Sequence, residues 1–99
     1  MRLTPEQIEG IHQFALQVAG PHASVRLFGS RLDDSARGGD VDLLLDVPVP
    51  VEQPALLAAT LSAKVSRLMR GRKVDVVIHA PNLMHQAIHD IALREGVLL

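Results

Sequence analysis

Between Ser24 and Asp46, two short and largely apolar runs are held apart by a polar, glycine-bearing loop. This spacing restricts the fold more than any other feature of the chain. The first run, Val25 to Phe28, stops at Gly29-Ser30. The second, Leu43 to Leu45, is opened by Asp40-Val41-Asp42. Runs this short, bounded by small and acidic residues, are strands; the near-continuous apolar centre of the second implies cover on both of its faces. Lys73 to Ile78 makes a third strand, with Asp75 at its centre.

Helical spacing fills the intervals. Thr4-Pro5-Glu6-Gln7 reads as a helix start: Thr4 caps, Pro5 suits the first helical position, and Gln7 stands three residues after the cap. Ile8, Ile11, Ala15 and Val18 follow at helical period, widened by Phe14 and Leu16, until Gly20-Pro21. A second helix is expected from Pro54 to about Arg70, with Leu57, Leu61, Lys64, Val65 and Leu68 setting the period and Gly71 ending it. Asn82 is expected to cap a last helix from Leu83 to about Glu95 that uses Met84, Ala87, Ile88 and Ile91. Val97-Leu98-Leu99 is left as an apolar tail that adds a strand edge or docks on a partner. The result is an α/β (α+β) fold, a small mixed β-sheet covered by helices.

Composition narrows the class. At 99 residues the chain reads as one domain, residues 1–99, burying roughly 60–65% of its unfolded-chain surface. Hydrophobic residues make up 47%, yet Phe occurs twice and Trp and Tyr not at all, so the core must be aliphatic. The absence of cysteine excludes disulfides and thiolate metal sites. No signal peptide is visible and no apolar stretch approaches the ~20 residues of a membrane span, which points to the cytoplasm and away from membranes. With a net charge of −1 and scattered Lys and Arg, the chain lacks the clustered cations that direct nucleic-acid binding requires.

Three acids and one turn carry the chemistry. Asp40 and Asp42 stand two apart and so point to one face of a strand. Two carboxylates that close share a proton or a cation, and oxygen-rich sites suit magnesium or manganese; a solvated loop end is the plain alternative. Asp75, inside an apolar strand, is costly if buried alone. It either joins the other two, lies on an exposed face, or pairs with Lys73 or Arg72. Gly29-Ser30 at a strand-to-helix turn offers backbone N–H groups and a hydroxyl to phosphate oxygens, or is an ordinary turn with a serine cap. His85 and His89, four apart on the last helix, have a spacing that permits zinc; with no third ligand evident they read as an exposed helix face. Lys64, Arg67, Arg70, Arg72 and Lys73 read as a solvated helix end or a partner contact.

Leu27-Phe28-Gly29-Ser30-Arg31, followed by Gly38-Gly39-Asp40-Val41-Asp42-Leu43-Leu44, resembles the signature of the DNA polymerase β-type nucleotidyltransferase superfamily. It is most similar to the minimal nucleotidyltransferases, short prokaryotic domains of about this length, and Asp75 in Val-Asp-Val-Val matches their third acid. The resemblance implies the polymerase β-like nucleotidyltransferase fold. It implies that Gly29, Ser30 and Arg31 bind the nucleotide phosphates, that Asp40, Asp42 and Asp75 are catalytic and ligate Mg2+ or Mn2+, and that ATP is the substrate donating AMP. Where many relatives carry a second Arg and a Gly, this chain has Leu32, Asp33 and Asp34, so basic help with the triphosphate falls to Arg31 or Arg37.

These elements use nearly all 99 residues, so the acceptor is expected to be met by a homodimer, to be met by a separate protein, or to be a protein itself. Minimal nucleotidyltransferases pair with small helical HEPN-type proteins, some as antitoxins that transfer AMP to a tyrosine of the toxin. The alternatives are a non-catalytic binding antitoxin or scaffold of the same fold, and a small-molecule (antibiotic) adenylyltransferase.

Overall fold

The computed structural model describes residues 3–29 and 40–99. In chain order the elements are α1 (Pro5–Ala19), β1 (Ser24–Phe28), β2 (Val41–Asp46), α2 (Pro54–Leu68), β3 (Val74–His79), α3 (Ala87–Glu95) and β4 (Val97–Leu98). The four strands form one mixed sheet in the order β3-β2-β1-β4. β1 runs antiparallel to both β2 and β4, while β2 and β3 are parallel and joined through α2. The expected α/β architecture is thus present, and the apolar tail supplies its fourth strand.

α1 begins as its sequence dictates. The Thr4 hydroxyl accepts from the Gln7 N–H at 3.1 Å, and the Gln7 side chain accepts from the Thr4 N–H at 2.9 Å, satisfying two donors that every helix start leaves open. Ile11 and Ala15 are fully buried, with Ile8, Phe14 and Val18 packed beside them. α2 buries Leu61 and Val65. It ends at Leu68, two residues before the expected Arg70, because Arg70 (φ 59°) and Gly71 (φ 87°) both turn left-handed while the Gly71 N–H returns to the Ser66 carbonyl.

Strand alternation sorts the two faces of the sheet. Val25, Leu27, Val41, Leu43, Leu45, Val74 and Ile78 enter the main core, which α1 and α2 cover. Arg26, Phe28, Asp42, Leu44, Asp46, Asp75, Val77 and His79 point the other way. On that face Phe28, Leu44 and Ala92 form a second, smaller core, with Val77 and Leu93 packed against it. Leu44 is thereby fully buried beneath α3, which explains the nearly unbroken apolar centre of β2.

α3 departs from expectation in extent and in orientation. It starts at Ala87, not Leu83, since the Asn82 side chain is committed elsewhere: its amide donates to the Val51 carbonyl and accepts from the Val51 N–H, at 2.8 and 2.9 Å. The apolar positions Met84, Ile88 and Ile91 are exposed, and the helix buries His89 and Ala92 instead. The His89 ring receives the Gln86 N–H at Nδ1 (2.9 Å) and donates from Nε2 to the Ile78 carbonyl (2.8 Å). Two backbone bonds make this imidazole a satisfied core group tying α3 to β3. Among the described residues no helix is long and apolar enough to cross a membrane.

Candidate active site

Beyond the part covered by α3, the second face of the sheet carries acids. Register places Asp42 of β2 directly beside Asp75 of β3, on strands about 4.8 Å apart. Both side chains emerge on the same face, so alternation within each strand and pairing between strands bring the two carboxylates together. Asp40 lies one residue before β2 and is exposed. Asp42 is half-buried, while half of the Asp75 side chain remains accessible.

Electrostatics distinguish Asp42. Burial pushes its carboxyl above the ordinary aspartate range, and the negative charges of Asp75 and then Asp40 push it further; Lys73 works in the opposite direction. Lys73 Nζ lies 3.9 Å from Asp75 Oδ2, with both side chains largely in solvent. An exposed pair of that length contributes little to stability, and it leaves Asp75 oxygens open to other partners. Asp42 therefore carries its charge against repulsion, a situation that a bound cation or a shared proton relieves.

Gly29 closes the site from β1. Phe28 is the register partner of Asp42, which puts Gly29 one step beyond the strand and against the acid. Its φ is +80°, in the region that favours glycine. A Cβ at this position would run into the Asp42 carboxylate, standing 3.2 Å from its Cγ. The turn is thus shaped around Asp42 both by its backbone conformation and by the absence of a side chain.

Of the expected phosphate-binding residues, Gly29 alone is described; Ser30 and Arg31, together with Arg37, lie outside the described residues. The acids expected to converge do so as an adjacent pair, Asp42 and Asp75, with Asp40 near enough for its charge to act on Asp42. Among the described residues no group of three or more His, Cys, Asp or Glu side chains is arranged to hold a metal ion. The pair offers hard oxygen donors of the kind magnesium and manganese prefer, and the strained charge of Asp42 fits such an ion.

His85 and His89 do not form the exposed helical pair the spacing suggests. His89 is buried and fully bonded, and His85 precedes the helix, its Nε2 2.6 Å from Asp90 Oδ1. Sequence reading also missed Asp46 and His79, register partners at the far ends of β2 and β3. A signal was present: Asp46 follows Asp42, and His79 follows Asp75, by the same four residues. Pairing of one couple in parallel strands therefore entails pairing of the other.

No curated protein matches the chain. The family model described as a nucleotidyltransferase domain matches residues 8–99, which takes in every strand, the acids of the second face and the Gly29 turn. With that match, the protein belongs to the nucleotidyltransferase domain family.

Proposed function

We propose that this nucleotidyltransferase is of the minimal type and transfers AMP from ATP to a hydroxyl of a partner protein, with Asp40, Asp42 and Asp75 as its catalytic acids. The observation that carries the reading is the side-by-side placement of Asp42 and Asp75 on an open part of the sheet, against the Gly29 turn. Nucleotidyltransferases generally use a nucleoside triphosphate and a divalent metal. Here Asp40, Asp42 and Asp75 would hold Mg2+ or Mn2+, which when bound supplies positive charge to the phosphate oxygens and the departing pyrophosphate.

The protein's own groups have separable tasks in this scheme. The backbone at Gly29, with Ser30 and Arg31, holds the triphosphate, and the lack of a side chain at Gly29 makes room for the Asp42 carboxylate beside that turn. Asp75, the more accessible of the pair, accepts the proton of the acceptor hydroxyl. The acceptor oxygen then forms a bond to the α-phosphorus in line with the breaking bond to the β-phosphate oxygen. Pyrophosphate leaves and the acceptor retains AMP. Asp42 is the less accessible of the two and is lodged against the Gly29 turn, so its place is as a fixed ligand.

A protein acceptor suits the open setting of the acids, which a folded surface carrying an accessible hydroxyl can approach. By its resemblance to the minimal nucleotidyltransferases, the partner class is a small helical HEPN-type protein, and the biological role that of an antitoxin modifying a toxin tyrosine. Incubation of this protein with α-phosphate-labelled ATP, Mg2+ and a small helical HEPN-type protein tests the reading. Label on a partner hydroxyl, lost in Asp42→Asn, is the expected outcome. Neutralisation of the partner without any transferred label would replace this reading with a purely binding antitoxin.

A further inference from the structure

The face that carries the acids ends, at the other ends of β2 and β3, in three mutually adjacent imidazoles. Ring centroids are 5.4 Å apart for His79 and His85, 5.6 Å for His79 and His89, and 5.3 Å for His85 and His89. Two of these rings are backed by carboxylates. His79 Nδ1 is 3.1 Å from Asp46 Oδ1, and His85 Nε2 is 2.6 Å from Asp90 Oδ1.

The partners assign the hydrogens. Carboxylate oxygens accept, so Nδ1 of His79 and Nε2 of His85 are assigned as the donors. A neutral imidazole then keeps one lone pair, on Nε2 of His79 and on Nδ1 of His85. His89 has none to offer: its Nδ1 accepts from the Gln86 N–H and its Nε2–H donates to the Ile78 carbonyl. The cluster thus contains two available nitrogen donors and one structural ring.

We propose that His79 and His85 form a second cation site, separate from the acids, for a borderline-soft divalent ion of the zinc type bound through His79 Nε2 and His85 Nδ1. The spacing fits. Zinc lies about 2.0–2.1 Å from a ligating nitrogen and hence about 3.2 Å from the ring centre, so two ligands at a tetrahedral angle have centroids about 5.2 Å apart; the observed separation is 5.4 Å. Carboxylates on the remote nitrogens are the outer-shell arrangement that orients ligating histidines and raises their basicity. Asp46 and Asp90 supply it independently to the two rings.

The two side chains are 33% and 47% accessible, leaving an entry path and positions for water. Two donors fall short of the three-residue sets absent among the described residues, so the site is open and exchangeable rather than a closed structural one. Nitrogen donors separate it in ligand preference from the oxygen-only acids at the other end of the same strands.

Competition with a chromophoric zinc indicator, using the full chain and Zn2+ alone, tests the assignment. One equivalent is expected to bind, with affinity falling more than tenfold in His85→Ala and in His79→Gln. Asp90→Asn should cost about tenfold, and Asp42→Asn, at the other end of β2, should leave the equivalent in place. His85 is exposed and outside the helices, so its removal does not threaten the fold. Nitrogen-detected NMR of the unsubstituted protein gives a second readout, with zinc shifting His79 Nε2 and His85 Nδ1 while His89 keeps its hydrogen-bonded pattern. Failure of the unsubstituted protein to bind a stoichiometric ion, or equal binding by His85→Ala, would overturn the proposal.

Discussion

Replacing Gly29 with alanine imposes two costs that a control substitution can separate. The first is conformational: at φ +80° a non-glycine residue loses about 1–2 kcal/mol. The second is steric, because the new Cβ meets the Asp42 carboxylate, 3.2 Å from its Cγ. Forcing such a contact costs about 1 kcal/mol or more. Gly71 is the control, since its φ of +87° imposes the same kind of backbone strain while nothing lies within 4 Å of an added Cβ. Gly29→Ala should therefore lose about 2–3 kcal/mol and Gly71→Ala about 1–2 kcal/mol. At about 4–8 °C per kcal/mol for a domain of this size, the melting temperatures should differ by at least about 4 °C. Urea denaturation of Gly29→Ala, Asp42→Ala and the double variant completes the cycle. Removing the carboxylate should return about 1 kcal/mol of the alanine's cost, a coupling expected only for residues in contact. Equal losses at positions 29 and 71, with no coupling to Asp42, would refute the packing of the turn against the acid.

Three other substitutions probe separate parts of the structure. Asp42→Asn keeps the shape and removes a repelled charge, so at pH 7 it should stabilise the fold by about 0.2–1 kcal/mol, the range for like charges placed opposite each other in a sheet. The sign follows from the upward shift: the folded protein holds the Asp42 proton more tightly than the unfolded chain, so the unsubstituted protein loses stability relative to the variant as pH rises from 3.8 through the raised value. Parallel denaturation curves across that window should show the gap closing in acid. His89→Leu leaves the Gln86 N–H and the Ile78 carbonyl unpaired and should cost about 2–4 kcal/mol, read as a lowered midpoint together with faster amide exchange in α3. Thr4→Ala removes the α1 cap and should cost about 1 kcal/mol by chemical denaturation.

Local signals in the sequence were sufficient wherever one element's own pattern decided its structure. Thr4, Pro5 and Gln7 specify the start of α1, and alternation around Leu43 and Leu45 specifies β2 and the face on which Asp42 emerges. The pairing of Asp42 with Asp75 is a different matter, since it depends on which strands are neighbours and in what register, and no single strand encodes that. α3 shows the harder limit. Helical period marks Met84, Ile88 and Ile91 as the inner face, yet the helix turns His89 inward because its ring satisfies two backbone groups, one of them on β3. Hydrophobic periodicity does not register a bond between a ring nitrogen and a carbonyl eleven residues away. Asn82 was misplaced for a similar reason: its amide serves Val51, thirty-one residues earlier, rather than the helix it was expected to cap.

Calorimetric titration with ATP, in Mg2+ and again with the metal chelated, tests the central claim most directly. The Asp42–Asp75 pair predicts binding in Mg2+ that disappears with chelator, and that is also lost in Asp42→Asn although this variant is at least as stable as the unsubstituted protein. Equal ATP affinity with and without the divalent ion would contradict the assignment of these acids.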